Sequence, residues 1–81
     1  MKVAVKMFAV ARQLAGRDTV ILQLPDRATV ADLRRQLIDE VPTLSSVISH
    51  IRFAVGTDYA TDATVINSGE DIACIPPVSG G

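Results

Sequence analysis

The chain has a single cysteine, Cys74, so no disulfide can form within it. It also has a single histidine, His50, and without a second imidazole or thiol a metal centre has little support. No block of basic residues occurs: eight Lys and Arg face nine Asp and Glu, for a formal net charge of -1. Nucleic-acid binders carry a basic stripe or patch, so nucleic acid is not an expected partner. The one basic pair, Arg34-Arg35, falls inside a helical pattern and reads as a solvated helix face. No apolar run approaches the ~20 residues of a membrane span. The first residues lack the long apolar segment of a secretory signal. No membrane partner is expected, and the expected location is cytoplasmic. There is no glycine-rich phosphate loop, so any ATP chemistry must be done by a partner.

What is present is a short chain rich in apolar residues. Its 81 residues, 48% of them hydrophobic, allow one ordered domain. A chain of this size buries roughly 60–65% of its unfolded surface, a modest core. Such a domain is better suited to presenting a surface or a terminus than to enclosing a deep active site.

Lys2 to Phe8 alternate, with Val3, Val5 and Met7 on one side, which predicts a half-buried strand. Ala9 to Ala15 reads as a short helix stopped by Gly16. Thr19 to Leu24 reads as a second strand with Val20, Leu22 and Leu24 inward, and Pro25-Asp26 turns the chain. Thr29 then caps the clearest helix, with Asp32 near its positive end. Val30, Leu33, Leu37 and Val41 form its apolar stripe, Ile38 lies beside them, and Pro42 ends it. Thr43 to His50 suggests a loop with a helical turn. Ile51, Phe53 and Val55 mark a third strand, Gly56-Thr57-Asp58 a turn, and Tyr59-Ala60 a short return strand. Asn67 to Asp71 is a strong turn cluster before a last strand, Ile72 to Ile75.

One long helix must therefore cover one face of a sheet. The expected fold class is α+β, a β-grasp or ubiquitin-like arrangement with a mixed sheet of four to five strands on one main helix. The expected organisation is a domain over residues 1–75 and an extended tail over residues 76–81.

That tail reads Pro76-Pro77-Val78-Ser79-Gly80-Gly81. The prolines lack N–H donors and fix φ, so the sheet ladder stops and the backbone extends stiffly. Beyond them only small residues follow, and Gly80-Gly81 has no side chain to obstruct a narrow channel. A terminal carboxylate has a pKa of roughly 3.3–3.7 and is ionised near neutrality. In that state it is a poor electrophile. It must first be activated, for instance as an acyl-adenylate, before sulfur or an amine can attack it.

Ile72-Ala73-Cys74-Ile75-Pro76-Pro77-Val78-Ser79-Gly80-Gly81, preceded by Ser68-Gly69-Glu70-Asp71, resembles the small, sulfur-carrier subunits of molybdopterin synthase. The opening Val3 to Leu14, with Phe8-Ala9 and Arg12, fits as well, so the resemblance covers nearly the whole chain. It implies that an E1-like enzyme adenylates the Gly81 carboxylate with MgATP and that a sulfur donor converts it to a thiocarboxylate. It further implies that the tail enters the large synthase subunit and gives its sulfur to cyclic pyranopterin monophosphate. The catalytic lysines then belong to the large subunit, and a large-subunit dimer joins two such heads into a heterotetramer. This chain binds no cofactor in that scheme. Relatives often carry an aromatic or bulkier residue at Cys74 and an asparagine at Gly56, so packing under the tail and the local turn differ here.

A carrier docks on two partners. Strand alternation places Phe8, Ala54, Tyr59, Ala73 and Ile75 on the open sheet face, an apolar patch beside the tail. Cys74 falls on the core side and reads as packing. His50 reads as a surface residue. Asp39-Glu40 belongs to a helix end, and Glu70-Asp71 to a turn that can also orient an activating enzyme. Three other readings stay open. One is a sulfur carrier for thiamine thiazole or tRNA thiolation. Another is a protein modifier whose Gly81 forms isopeptide bonds, and the third is a binding module with an idle tail.

Overall fold

The computed structural model describes residues 1–77. The alternating start forms strand β1, Lys2–Met7, with Val3, Val5 and Met7 buried. Helix α1, Ala9–Ala15, ends at Gly16, whose φ of 72° lies in the left-handed region that glycine tolerates. Strand β2, Thr19–Gln23, returns antiparallel to β1, with Val5 opposite Val20.

Helix α2, Val30–Glu40, begins in a reciprocal cap. The Thr29 N–H donates to Asp32 Oδ2 at 2.9 Å, and the Asp32 N–H donates to Thr29 Oγ1 at 3.4 Å. The remaining free donors of the first turn find partners in a distant loop. The Val30 N–H donates to the Thr64 carbonyl and the Ala31 N–H to the Asp62 carbonyl, both at 3.0 Å. The apolar stripe Val30, Leu33, Leu37 and Val41 is buried as its spacing predicts.

From Pro42 the chain makes two short 3₁₀ turns, Pro42–Ser46 and Ile48–His50, and Leu44 in the first of them is buried. Strand β3, Arg52–Val55, pairs with β4, Asp58–Ala60, through a tight turn at Gly56. Strand β5, Ile72–Ile75, closes the sheet in the order β2-β1-β5-β3-β4. β5 runs parallel to β1 and antiparallel to β3, so the sheet is mixed and β5 is central. Its inward residues Ile72 and Cys74 join the α2 stripe and Phe53 in one core.

One reading of the sequence needs correction. Arg34 is not part of a solvated face, although Arg35 is. The Arg34 side chain is only 22% exposed, and its Nη1 donates to the carbonyls of Ile48 (2.6 Å) and Ile51 (2.7 Å). Its Nη2 pairs with Asp62 at 2.9 Å, and the guanidinium lies 5.0 Å from the Phe53 ring centroid. The Ile48 carbonyl already accepts from the Ile51 N–H at 3.3 Å, and the Arg34 guanidinium adds a charged donor to it and to the Ile51 carbonyl beyond the 3₁₀ turn. Arg34→Ala is expected to lower stability by about 1–3 kcal/mol. Arg34→Lys should recover only part of that, because an ammonium cannot reproduce the fork. Urea titration of the three proteins checks this.

Candidate functional site

Because β5 is central, the segment that follows it emerges between the two halves of the sheet. Ile75 is paired with Arg52 across to β3, and after it Pro76 is buried and Pro77 exposed. This tail root separates two grooves. One, of about 530 Å³, is mostly apolar and is lined by Phe8, Ala9, Val10, Val47, Ile75, Pro76 and Pro77. The other, of about 260 Å³, is lined by His50, Arg52, Tyr59, Ile75 and the same two prolines. Arg52 lies over the Tyr59 ring, 5.4 Å from its centroid, so the second groove combines a cation with an aromatic face.

The expected patch is thus divided. Phe8 is 46% exposed and Tyr59 64%, but they stand in different grooves, and of the five patch residues Ile75 alone lines both. Phe8 does not belong to β1. It is the N-cap of α1 with extended backbone, and the next residue, Ala9, has a φ of 49°. The sharp change of direction places Phe8 against Val47 and the tail root. Ala54 and Ala73 face each other across β3 and β5 and are half-buried, with Ala54 in turn opposite Tyr59. They form the floor of the open face and line neither groove. Val78, Ser79, Gly80 and Gly81 lie outside the described residues.

Sequence reasoning missed Val10, Val47 and Arg52 as groove walls. Val47 lies in a segment without clear periodicity, and Arg52 looks like any outward strand residue. Their roles come from the packing of the 3₁₀ turns beside β5.

Cys74 is fully buried, and burial raises its thiol pKa to about 11, against a smaller pull from the Arg34 guanidinium. The thiol is neutral near pH 7 and has no water-facing surface, so it is a packing group. It should not react with a thiol-specific disulfide reagent in the native protein and should react fully after unfolding in guanidinium. Asp32 is held below the usual carboxylate range, first by the Thr29 N–H and next by its hydroxyl, and serves the helix cap. Glu70 accepts from the Asn67 N–H at 2.6 Å, closing the turn before β5. Among the described residues no three His, Cys, Asp or Glu side chains gather where a metal ion could be held. No helix among them is long and apolar enough to cross a membrane.

A mixed five-stranded sheet over one main helix, with its central strand leading out to an exposed tail root, defines a ubiquitin-like β-grasp protein. The solved structure of SAMP1 from Haloferax volcanii matches it with a TM-score of 0.88 and 30% identity over 100% of both chains. The chain belongs to the ThiS family, whose pattern matches residues 5–81. It is 36% identical to a molybdopterin synthase sulfur carrier subunit of Chlamydomonas reinhardtii, over 100% of both chains. It is 32% identical to the protein of that name from Arabidopsis thaliana, over 100% of this chain and 84% of the relative.

Proposed function

We propose that this protein is the sulfur-carrier subunit of a molybdopterin synthase. The observation that carries the reading is its full-length match to relatives of that name. In this reading residues 76–81 are a tail delivered by the domain of residues 1–75, and Gly81 supplies the reacting carboxylate. An E1-like enzyme uses MgATP to form the acyl-adenylate. A sulfur nucleophile then displaces AMP, leaving the thiocarboxylate. Its sulfur passes to cyclic pyranopterin monophosphate in the large subunit, within a cytoplasmic heterotetramer. No group on this chain acts as acid or base. Pro76 and Pro77 set the direction of the tail, and Val78, Ser79 and Gly80 keep it slim.

The grooves on either side of the tail root support this division of labour. Phe8 and Ile75 offer an apolar anchor, and Tyr59 with Arg52 a polar-rimmed one, the mix typical of docking surfaces. Ala73 and Ala54 keep the face between them low. Phe8→Asp is expected to weaken binding to the large subunit about 10- to 100-fold while leaving the fold intact, because Phe8 is already half exposed. Isothermal titration with circular dichroism checks both halves, and unchanged affinity would refute the docking role.

The protein-modifier reading has one specific observation in its favour, the likeness to the small archaeal modifier protein 1 of Haloferax volcanii, 31% identical over 94% of this chain. Intact mass spectrometry of the protein from its native cells separates the two. A mass showing one oxygen replaced by sulfur supports the carrier, and lysine conjugates of high mass support the modifier. Rescue of a strain lacking the synthase small subunit then identifies the pathway, and failure to rescue overturns it.

A further inference from the structure

The sheet has two edges of different character. β4 is only Asp58–Ala60, short and with a charge at one end. β2 is longer, Thr19–Gln23, and has no charged residue and no proline. Natural sheets usually blunt an edge with lysine, proline or a bulge. β2 has none of these devices, and among the described residues β1 is its one sheet neighbour.

Its hydrogen-bonding parity follows from two bonds at the ends of the β1–β2 ladder. The Met7 N–H donates to the Asp18 carbonyl at 2.7 Å, and the Leu24 N–H donates to the Met1 carbonyl at 2.8 Å. In an antiparallel ladder bonded and non-bonded pairs alternate. The bonded pairs between these ends are therefore Val5 with Val20 and Val3 with Leu22. Thr19, Ile21 and Gln23 turn their N–H and C=O groups away from β1, to the outer edge. Ile21, at the centre, also has a side chain 49% exposed, beside the small Ala4 on the open face.

We propose that this edge pairs with the β2 edge of a second copy of the chain, antiparallel about a two-fold axis at Ile21. The strand is self-complementary in that register. Ile21 meets Ile21 of the other copy as a bonded pair, and their exposed side chains come into contact. Thr19 falls opposite Gln23, so every outward N–H and C=O of the strand gains a partner and no like charges face each other. Beyond the strand ends, Arg17 comes level with the Pro25-Asp26 segment of the other copy, bringing opposite charges together at both ends. The interface is isologous and closes at two copies. β5 is the third strand in from this edge, so both tail roots stay free.

Sedimentation equilibrium of the full chain from micromolar to millimolar concentration tests the pairing. Wild-type protein is expected to shift from monomer to dimer across that range. Ile21→Lys sets two ammonium groups opposite each other and should weaken association at least ~10-fold, with circular dichroism unchanged because the side chain is surface-exposed. Wild-type protein that stays monomeric, or association unaffected by I21K, overturns the proposal. Hydrogen exchange on the wild type gives an independent measurement. The amides of Thr19, Ile21 and Gln23 should become protected as concentration rises. Protection independent of concentration, or arising only on addition of another protein, overturns the second copy as the occupant.

Discussion

A chain lacking Gly81 is expected to fold normally and to be loaded with sulfur at least ~100-fold more slowly than the intact one. The fold half of this result follows from the sheet. Among the described residues every strand pairing is complete by Ile75, and Gly81 lies six residues beyond it. The shortened chain still ends on a carboxylate, now that of Gly80, so the reacting group is chemically the same. What changes is reach. One residue shortens an extended tail by about 3.3–3.6 Å. A misplacement of about 1 Å at a reacting centre can already cost ~10²-fold. Intact mass after incubation with the activating enzyme, ATP and a sulfur donor measures loading, and a thermal melt confirms the fold. Wild-type loading of the shortened chain would refute the tail mechanism.

The second large effect concerns stability. Phe53→Ala is expected to cost about 3–5 kcal/mol. Phe53 is the largest fully buried side chain, held between β5 and β4 and opposite Cys74 and Ala60. Its removal leaves a cavity that a central strand cannot close, and it takes away the ring beneath the Arg34 guanidinium. In a domain this small each kcal/mol lowers the melting temperature by roughly 4–8 °C, so the loss is roughly 12–40 °C. A calorimetric scan checks this, and a decrease of only a few degrees would show that the core collapses around the vacancy. Because Phe53 sits beneath the strands that bear both grooves, the variant should also lose partner binding once it begins to unfold.

Much of the fold was legible in short stretches of sequence because the signals are local. Alternation in Lys2–Met7, the stop at Gly16, the Thr29–Asp32 cap and the i, i+3, i+4 stripe of α2 each depend on neighbours within a few residues. The role of Arg34 is not legible in the sequence for the opposite reason. Its partners Ile48 and Ile51 are 14 and 17 residues away in sequence, and nothing at position 34 announces carbonyls that far along the chain. Phe8 continues the alternation of β1 in sequence but lies one residue beyond the strand. Alternation carries no sign that the backbone turns at Ala9, whose φ of 49° lies in the left-handed region, to start α1.

The candidate site divides in the same way. The sequence by itself supplies the chemistry proposed for the tail, because prolines that stop a ladder, glycines that leave room and a carboxylate that needs activation are properties of residue types in order. It also determined that Cys74 points inward, since parity along a strand is local. Only the tertiary structure decided that the tail root stands between an apolar groove and a cation–aromatic one. Those walls come from α1, the 3₁₀ turns, β3 and β4, and they meet only because β5 is inserted between β1 and β3. A strand order is a set of long-range pairings, and no local pattern of residues encodes it.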